Sequence, residues 1–150
     1  MAGLGALLAA AVFARDDDYV ETEVFQRTVA VAFSGSTATV DNQAGPGVSY
    51  CRTGANLVFS NSLKHVAFTL SGSTSLGSAK FYSDEAFKLV LGGVTLGSPN
   101  GPAINVQTKK RCYVVLADGA TNALSDGAAY APQVDDTNGV EDAKGAFFSE

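Results

Sequence analysis

Tryptophan is absent from this 150-residue chain, histidine appears once, cysteine twice, and charged residues make up only 17%. Each scarcity removes a class of function. His65, Cys51 and Cys112 are too scattered along the chain to supply the clustered ligands of a structural zinc site. Sparse charge beside 46% apolar residues argues against global disorder. The net charge of −5, with Lys109-Lys110-Arg111 as the only basic cluster, argues against a nucleic-acid partner. No carboxylate pair recurs on one expected strand face, as glycoside hydrolysis needs. His65 opens a strand with no nameable partner, so catalysis is not expected.

What is abundant is glycine, sixteen of them, with much Ser, Thr and Asn. That balance predicts a turn-rich, all-β chain long enough to bury one core. The opening MAGLGALLAAAVFAR is apolar but too short to span a bilayer. Small residues at Val12 and Ala14 suit an export cleavage site, whereas a basic start is missing. A clipped export leader and an amphipathic leader without an export role both fit; the extracellular or cell-surface location is the expectation adopted. Residues 1–18 then form a leader and an acidic linker ending in Asp16-Asp17-Asp18. Cys51 and Cys112 could bridge if the chain is exported, but Cys112 begins an alternating run and reads as a buried, inert thiol.

A repeat organises the middle of the chain. VAFTLSGSTSL (66–76), FKLVLGGVTL (87–96) and CYVVLADGATNAL (112–124) superimpose by residue class. Each begins with three alternating residues: Val66, Phe68, Leu70; Phe87, Leu89, Leu91; Cys112, Val114, Leu116. A small or glycine-bearing turn follows, and a second apolar pair recurs as Ala79-Phe81 and Ile104-Val106. Within residues 87–106 this reads as three short strands, with Val94–Leu96 a strand of its own. A period of twenty-odd residues suits one triangular coil of a right-handed parallel β-helix, in which Leu70, Leu91 and Leu116 stack. A β-sandwich is the alternative, since its strands also recur between turns. Residues 19–62, with alternation in TVAVAF and shorter runs in VSYC and NLVF, are expected as an N-terminal cap and first coil. Residues 63–150 are the coils proper, incomplete at the C-terminus because the apolar Ala146-Phe147-Phe148 opens a strand with no successor.

The stretch LVLGGVTLGSPNGPAINVQTKKRCYVVLADGATNALSDGAAY, followed after a polar loop by EDAKGAFFSE, resembles a known family. It is similar to bacterial carbohydrate-binding proteins with a pectate-lyase-like right-handed parallel β-helix, over residues 63–150. The resemblance rests on residues 89–96, Ala103-Ile104-Asn105, the basic pair and valine-rich strand of 109–115, the Asp-Gly-rich 116–127 and the phenylalanine-rich end. It implies an exported or surface protein that binds plant-type polysaccharides or acidic sugars, with calcium on the helix and further coils beyond residue 150. Gly92-Gly93 departs from the family pattern, as does the leader.

Three sets of side chains carry the expected chemistry. Without tryptophan, a sugar platform falls to tyrosine: Tyr82 faces out if Phe81 faces in, with Asn105 and Gln107 beside it on the next coil. Lys109, Lys110 and Arg111 at the adjacent corner suit uronate carboxylates, or are simply solvated. Asp135, Asp136, Asn138, Glu141 and Asp142 offer hard oxygens to calcium, or form a solvated loop. Asp118 and Asp126 precede glycines and read as turn formers. The expected function is non-catalytic binding of a plant cell-wall polysaccharide or acidic sugar. A structural, adhesin-type surface protein is the alternative, and a polysaccharide lyase, which would need calcium and a basic residue as base, the second.

Overall fold

The computed structural model describes residues 20, 23–130, 133–134, 140–141 and 144–150. Among these no α-helix occurs, and no helix is long and apolar enough to cross a membrane. Two mixed sheets enclose one apolar core. The first contains β1 (Arg27–Ser34), β2 (Thr37–Asn42), β5 (Val66–Thr74), β7 (Phe87–Gly97), β9 (Cys112–Leu116) and β10 (Ala123–Ser125). The second contains β3 (Val48–Thr53), β4 (Ala55–Asn61), β6 (Gly77–Ser83), β8 (Ile104–Gln107) and β13 (Phe147–Ser149). A separate antiparallel pair joins β11 (Gln133–Val134) and β12 (Val140–Glu141).

The hairpins β1–β2 and β3–β4 are antiparallel and close one edge of each sheet. Every other pair in the two sheets is parallel. From β4 to β9 the chain passes alternately between the sheets, so each of β5 to β9 pairs in parallel with a strand that came a circuit earlier. The leucines expected to stack do share one register row: Leu70 pairs with Leu91, and Leu91 with Leu116. On the second sheet Ala79 pairs with Ile104, and Phe81 with Val106. All-β architecture is thus observed. In layering it has the look of the sandwich alternative, two sheets facing one core, while its pairing is mostly parallel.

Strict alternation explains which side chains fill the core. Val29, Val31 and Phe33 of β1, Leu57 and Phe59 of β4, and Phe87, Leu89 and Leu91 of β7 all point inward and are buried. Phe59, Phe68, Phe81 and Phe87 meet between the layers with ring centres 5.1–5.6 Å apart, both stacked and edge-on. Each such ring contributes about 1.5–3 kcal/mol from burial and about 0.5–1.5 kcal/mol per ring pair beyond it.

The row weakens at its far end. Leu70 and Leu91 are buried, but Val114 is 47% and Leu116 64% exposed, because β9 pairs with β7 alone. Val94–Leu96 is not a separate strand either. Phe87–Gly97 runs on through Gly92-Gly93, where one extra residue slips the register so that Gly72 faces Val94. Gly72 (φ +82°) and Gly93 (φ +86°) take up the left-handed backbone that this bulge requires. Opposite the bulge, Asn122 Oδ1 accepts hydrogen bonds from the N–H groups of both Gly93 and Val94, each at 2.9 Å. In the next circuit the same path is broken into β9 and β10, which pair with the two halves of β7.

Cys51 and Cys112 are both free thiols, on edge strands of different sheets. Cys112 is half-buried against the core, and burial pushes its thiol up to about 12. His65 sits at the corner before β5 with φ +61°, its carbonyl accepting the N–H of Arg27.

Candidate functional site

On β6 the inward Phe81 is 1% exposed, which turns its neighbours Lys80 and Tyr82 to the outer face. Parallel pairing then sets what lies beside them. Tyr82 is in register with Ser60 on one side and Gln107 on the other, and Ser60 in turn with Ser49. Lys80 is in register with Val58 and Asn105, and Asn105 with Phe148. Two rows of outward side chains therefore cross the second sheet, one hydroxyl- and amide-rich, the other mixed.

Tyr82 and Lys80 form the ridge of this surface, with Lys80 Nζ 5.0 Å from the centre of the Tyr82 ring. A cation held over the ring face fixes both side chains at little cost in solvation. Gln107 Nε2 donates to Asn105 Oδ1 at 2.8 Å, and Asn105 is only 4% exposed, so this amide pair has a set orientation. Open grooves flank the ridge. One of about 350 Å³ is lined by Gly47, Ser49, Ser60, Ser62, Tyr82 and Asp84 among others. The other, about 260 Å³, lies between Val58, Ser78, Lys80, Asn100, Pro102 and Asn105. Hydroxyls, amides and one half-buried ring lining open grooves suit a flat, polyhydroxylated ligand better than a compact apolar one.

The six side chains expected from the sequence to bind sugar divide between places. Tyr82, Asn105 and Gln107 come together as described. Lys109 and Lys110 are exposed in the turn after β8, where the Lys110 N–H donates to Thr108 Oγ1 at 2.9 Å. Arg111 turns to the other sheet: its guanidinium lies 5.8 Å from the Tyr113 ring centre and donates to Tyr113 Oη at 3.3 Å. Lys80, Ser60, Ser49 and the loop at Pro46-Gly47 escaped sequence reasoning. The offset of 22 residues between β4 and β6 (60 to 82) brings Ser60 to Tyr82, and the β3–β4 hairpin adds Ser49 beside Ser60.

Of the acidic run, Asp135, Asp136, Asn138 and Asp142 lie outside the described residues, as does the side chain of Glu141; the leader over 1–18 lies outside them too. Two observations bear on the run from its flanks. β11 and β12 pair antiparallel on either side of 135–139. Tyr130 Oη donates to the Asp126 carboxylate and accepts the Gly145 N–H at 2.8 Å, tying together the two ends of the segment. Among the described residues no three of His, Cys, Asp and Glu gather as metal ligands.

Residues 58–150, from within β4 through β13, match the model of a family described as carbohydrate-binding domain-containing protein. The chain belongs to this carbohydrate-binding family. The matched span holds Tyr82, Lys80, Asn105 and Gln107, whereas Ser49 and the Pro46-Gly47 loop precede it. No curated protein and no solved structure matches the chain.

Proposed function

We propose that this carbohydrate-binding domain holds a polysaccharide, without cleaving it, across the outer face of the second sheet. The observation that carries the reading is the Tyr82 ridge: an outward ring clamped by Lys80, with Ser60 and Gln107 in register on either side. A pyranose ring laid on Tyr82 buries its C–H face, while its hydroxyls meet the serines of one groove and the Asn105–Gln107 amides. Binding is non-catalytic in this reading. The first groove brings a single carboxylate, Asp84, where hydrolysis uses a pair.

The finer parts of the reading belong to the same proposal. The architecture is one of successive coils of a right-handed parallel β-helix; offsets of 21 (70 to 91) and 25 (91 to 116, 79 to 104) between parallel partners support it. The ligand is a plant cell-wall polysaccharide or acidic sugar, and the protein acts outside the cell. Calcium is held by Asp135, Asp136, Asn138, Glu141 and Asp142, a hard-oxygen set whose ends are drawn together by β11–β12 and Tyr130.

A pull-down on insoluble cellulose and pectin, with and without chelator, tests the whole. Retention on a polysaccharide supports binding, and its loss in chelator supports calcium. Absence of retention on every glycan tried, from folded protein, would sink the reading in favour of a purely structural surface protein.

A further inference from the structure

The two grooves beside Tyr82 are cut into the same strands, which fixes a line between them. β4 gives Ser60 to one groove and Val58 to the other; β6 gives Tyr82 to the first, and Ser78 and Lys80 to the second. The line from groove to groove therefore runs along β6 rather than across the sheet. From Ser78 to Asp84 it covers about 20 Å, at roughly 3.3 Å per extended residue. Tyr82 and Lys80 alternate onto one face and form the wall that the grooves share. In the other direction the first groove stops at β6: among the described residues, its lining includes none of β8.

Corners held by hydrogen bonds wall both grooves. In the first, the N–H and Oγ of Ser62 both donate to the Gly47 carbonyl, at 3.0 and 3.1 Å. The Asp84 N–H donates to the Asn61 carbonyl at 2.9 Å. The Asn61 side chain, 4% exposed, donates in turn to the Leu63 carbonyl and Ser83 Oγ, each at 3.0 Å. In the second groove Ser78 Oγ donates to Asn56 Oδ1 at 2.9 Å. The buried Ser98 fixes the start of the 98–102 turn, its N–H donating to the Ser125 carbonyl at 3.0 Å. Walls formed in advance lower the ordering cost of binding. The far ends of the line carry exposed polar side chains, Ser62 and Asp84 at one and Asn100 at the other. A single sugar reaches one groove, whereas a short chain reaches both.

We propose that the site takes an internal segment of a linear chain of pyranoses, laid parallel to β6 in about three contiguous subsites. One unit sits in the groove of Ser60, Ser62 and Asp84, the next crosses the Tyr82 ridge, and the third enters the groove of Val58, Ser78 and Asn100. Both grooves are open to solvent, so the chain continues past each end and no free terminus is needed. The inference rests on the reading above, that Tyr82 anchors a glycan, and adds the direction and length of the ligand.

The test is a titration of the full chain with cello-oligosaccharides and with oligogalacturonates, each from monomer to hexamer, followed by calorimetry and backbone amide NMR. In the series that binds, affinity should rise about tenfold with each unit up to the trimer and then level off to the hexamer. The trimer should shift the amides of Ser62, Asp84, Ser78 and Asn100 together with Tyr82, at one ligand per chain. Asp84→Ala and Asn100→Ala should each weaken trimer binding about threefold to tenfold, and the double variant by the product of the two. Both positions are exposed, and thermal melting confirms that the variants are folded. A monomer that binds as tightly as the trimer, or two ligands per chain, would overturn the proposal and leave Tyr82 as an anchor. So would trimer shifts that spread across β3, β4, β6 and β8 while Asp84 and Asn100 stay unmoved. No shift at Tyr82 with any oligomer would overturn the reading beneath it as well.

Discussion

Tyr82 and Gln107 lie opposite each other on neighbouring parallel strands, though 25 residues separate them in sequence (82 to 107). Neither would be near the other in a chain of hairpins. The parallel return of β8 onto β6 builds the surface, and the inward Phe81 and Val106 turn both side chains outward. Tyr82→Ala should therefore weaken glycan binding by about 2 kcal/mol, roughly thirtyfold, as truncation of an anchoring aromatic does. Tyr82→Phe keeps the ring and should retain most of the affinity in an isothermal titration.

Stability should follow burial along the leucine row. Leu91→Ala removes a buried side chain between two neighbours and should cost about 3 kcal/mol in urea unfolding. Leu116→Ala, in the same row but 64% exposed, should change stability by no more than about 0.5 kcal/mol. Equal losses at both positions would show that the row is covered at both ends.

These two cases also mark what was legible in the sequence. The rows Leu70–Leu91–Leu116 and Ala79–Ile104 are visible as class repeats, because alternation and periodic return both leave a trace in residue type. The bulge was not, since two glycines read as a turn between strands as readily as a slip within one. The direction of Arg111 was hidden for a related reason: sequence places it beside Lys109 and Lys110, and its guanidinium lies against Tyr113, two residues on. Lys80 was missed because a lysine on an outer face carries no signal until its ring partner is known. The exposure of Val114 and Leu116 is likewise invisible to pattern, which reports facing but not what covers the face.

The bulge makes a contrast between two glycines. A Cβ on Gly72 would stand 2.1 Å from the Phe33 carbonyl oxygen, at φ +82°. Gly72→Ala should cost about 3 kcal/mol or more, or prevent folding. Gly93 has a similar φ, +86°, with nothing within 4 Å of an added Cβ, so Gly93→Ala should cost only about 1–2 kcal/mol of backbone strain. Thermal melting of the two variants side by side decides this.

Asn122→Ala removes the acceptor shared by the Gly93 and Val94 N–H groups. The expected loss is about 1–3 kcal/mol, with faster hydrogen exchange at those two amides. Asn122→Asp keeps an acceptor and should restore most of the protection.

Burial holds the Cys112 thiol protonated up to about 12, whereas an unfolded thiol titrates near 9.0. Between those values the unfolded chain sheds this proton and the native state keeps it. This contribution to stability is therefore complete below pH 9 and declines as pH rises toward 12. At pH 8 a thiol reagent should modify the exposed Cys51 quickly and Cys112 only on unfolding.

The most direct measurement is a map of where an oligosaccharide lands. Backbone amide shifts during titration with a polysaccharide fragment that the protein retains should centre on Lys80, Tyr82, Asn105 and Gln107, and Tyr82→Ala should need roughly thirtyfold more ligand to produce them. A retained fragment that leaves these four amides unmoved, or shifts them equally in Tyr82→Ala, would contradict the account.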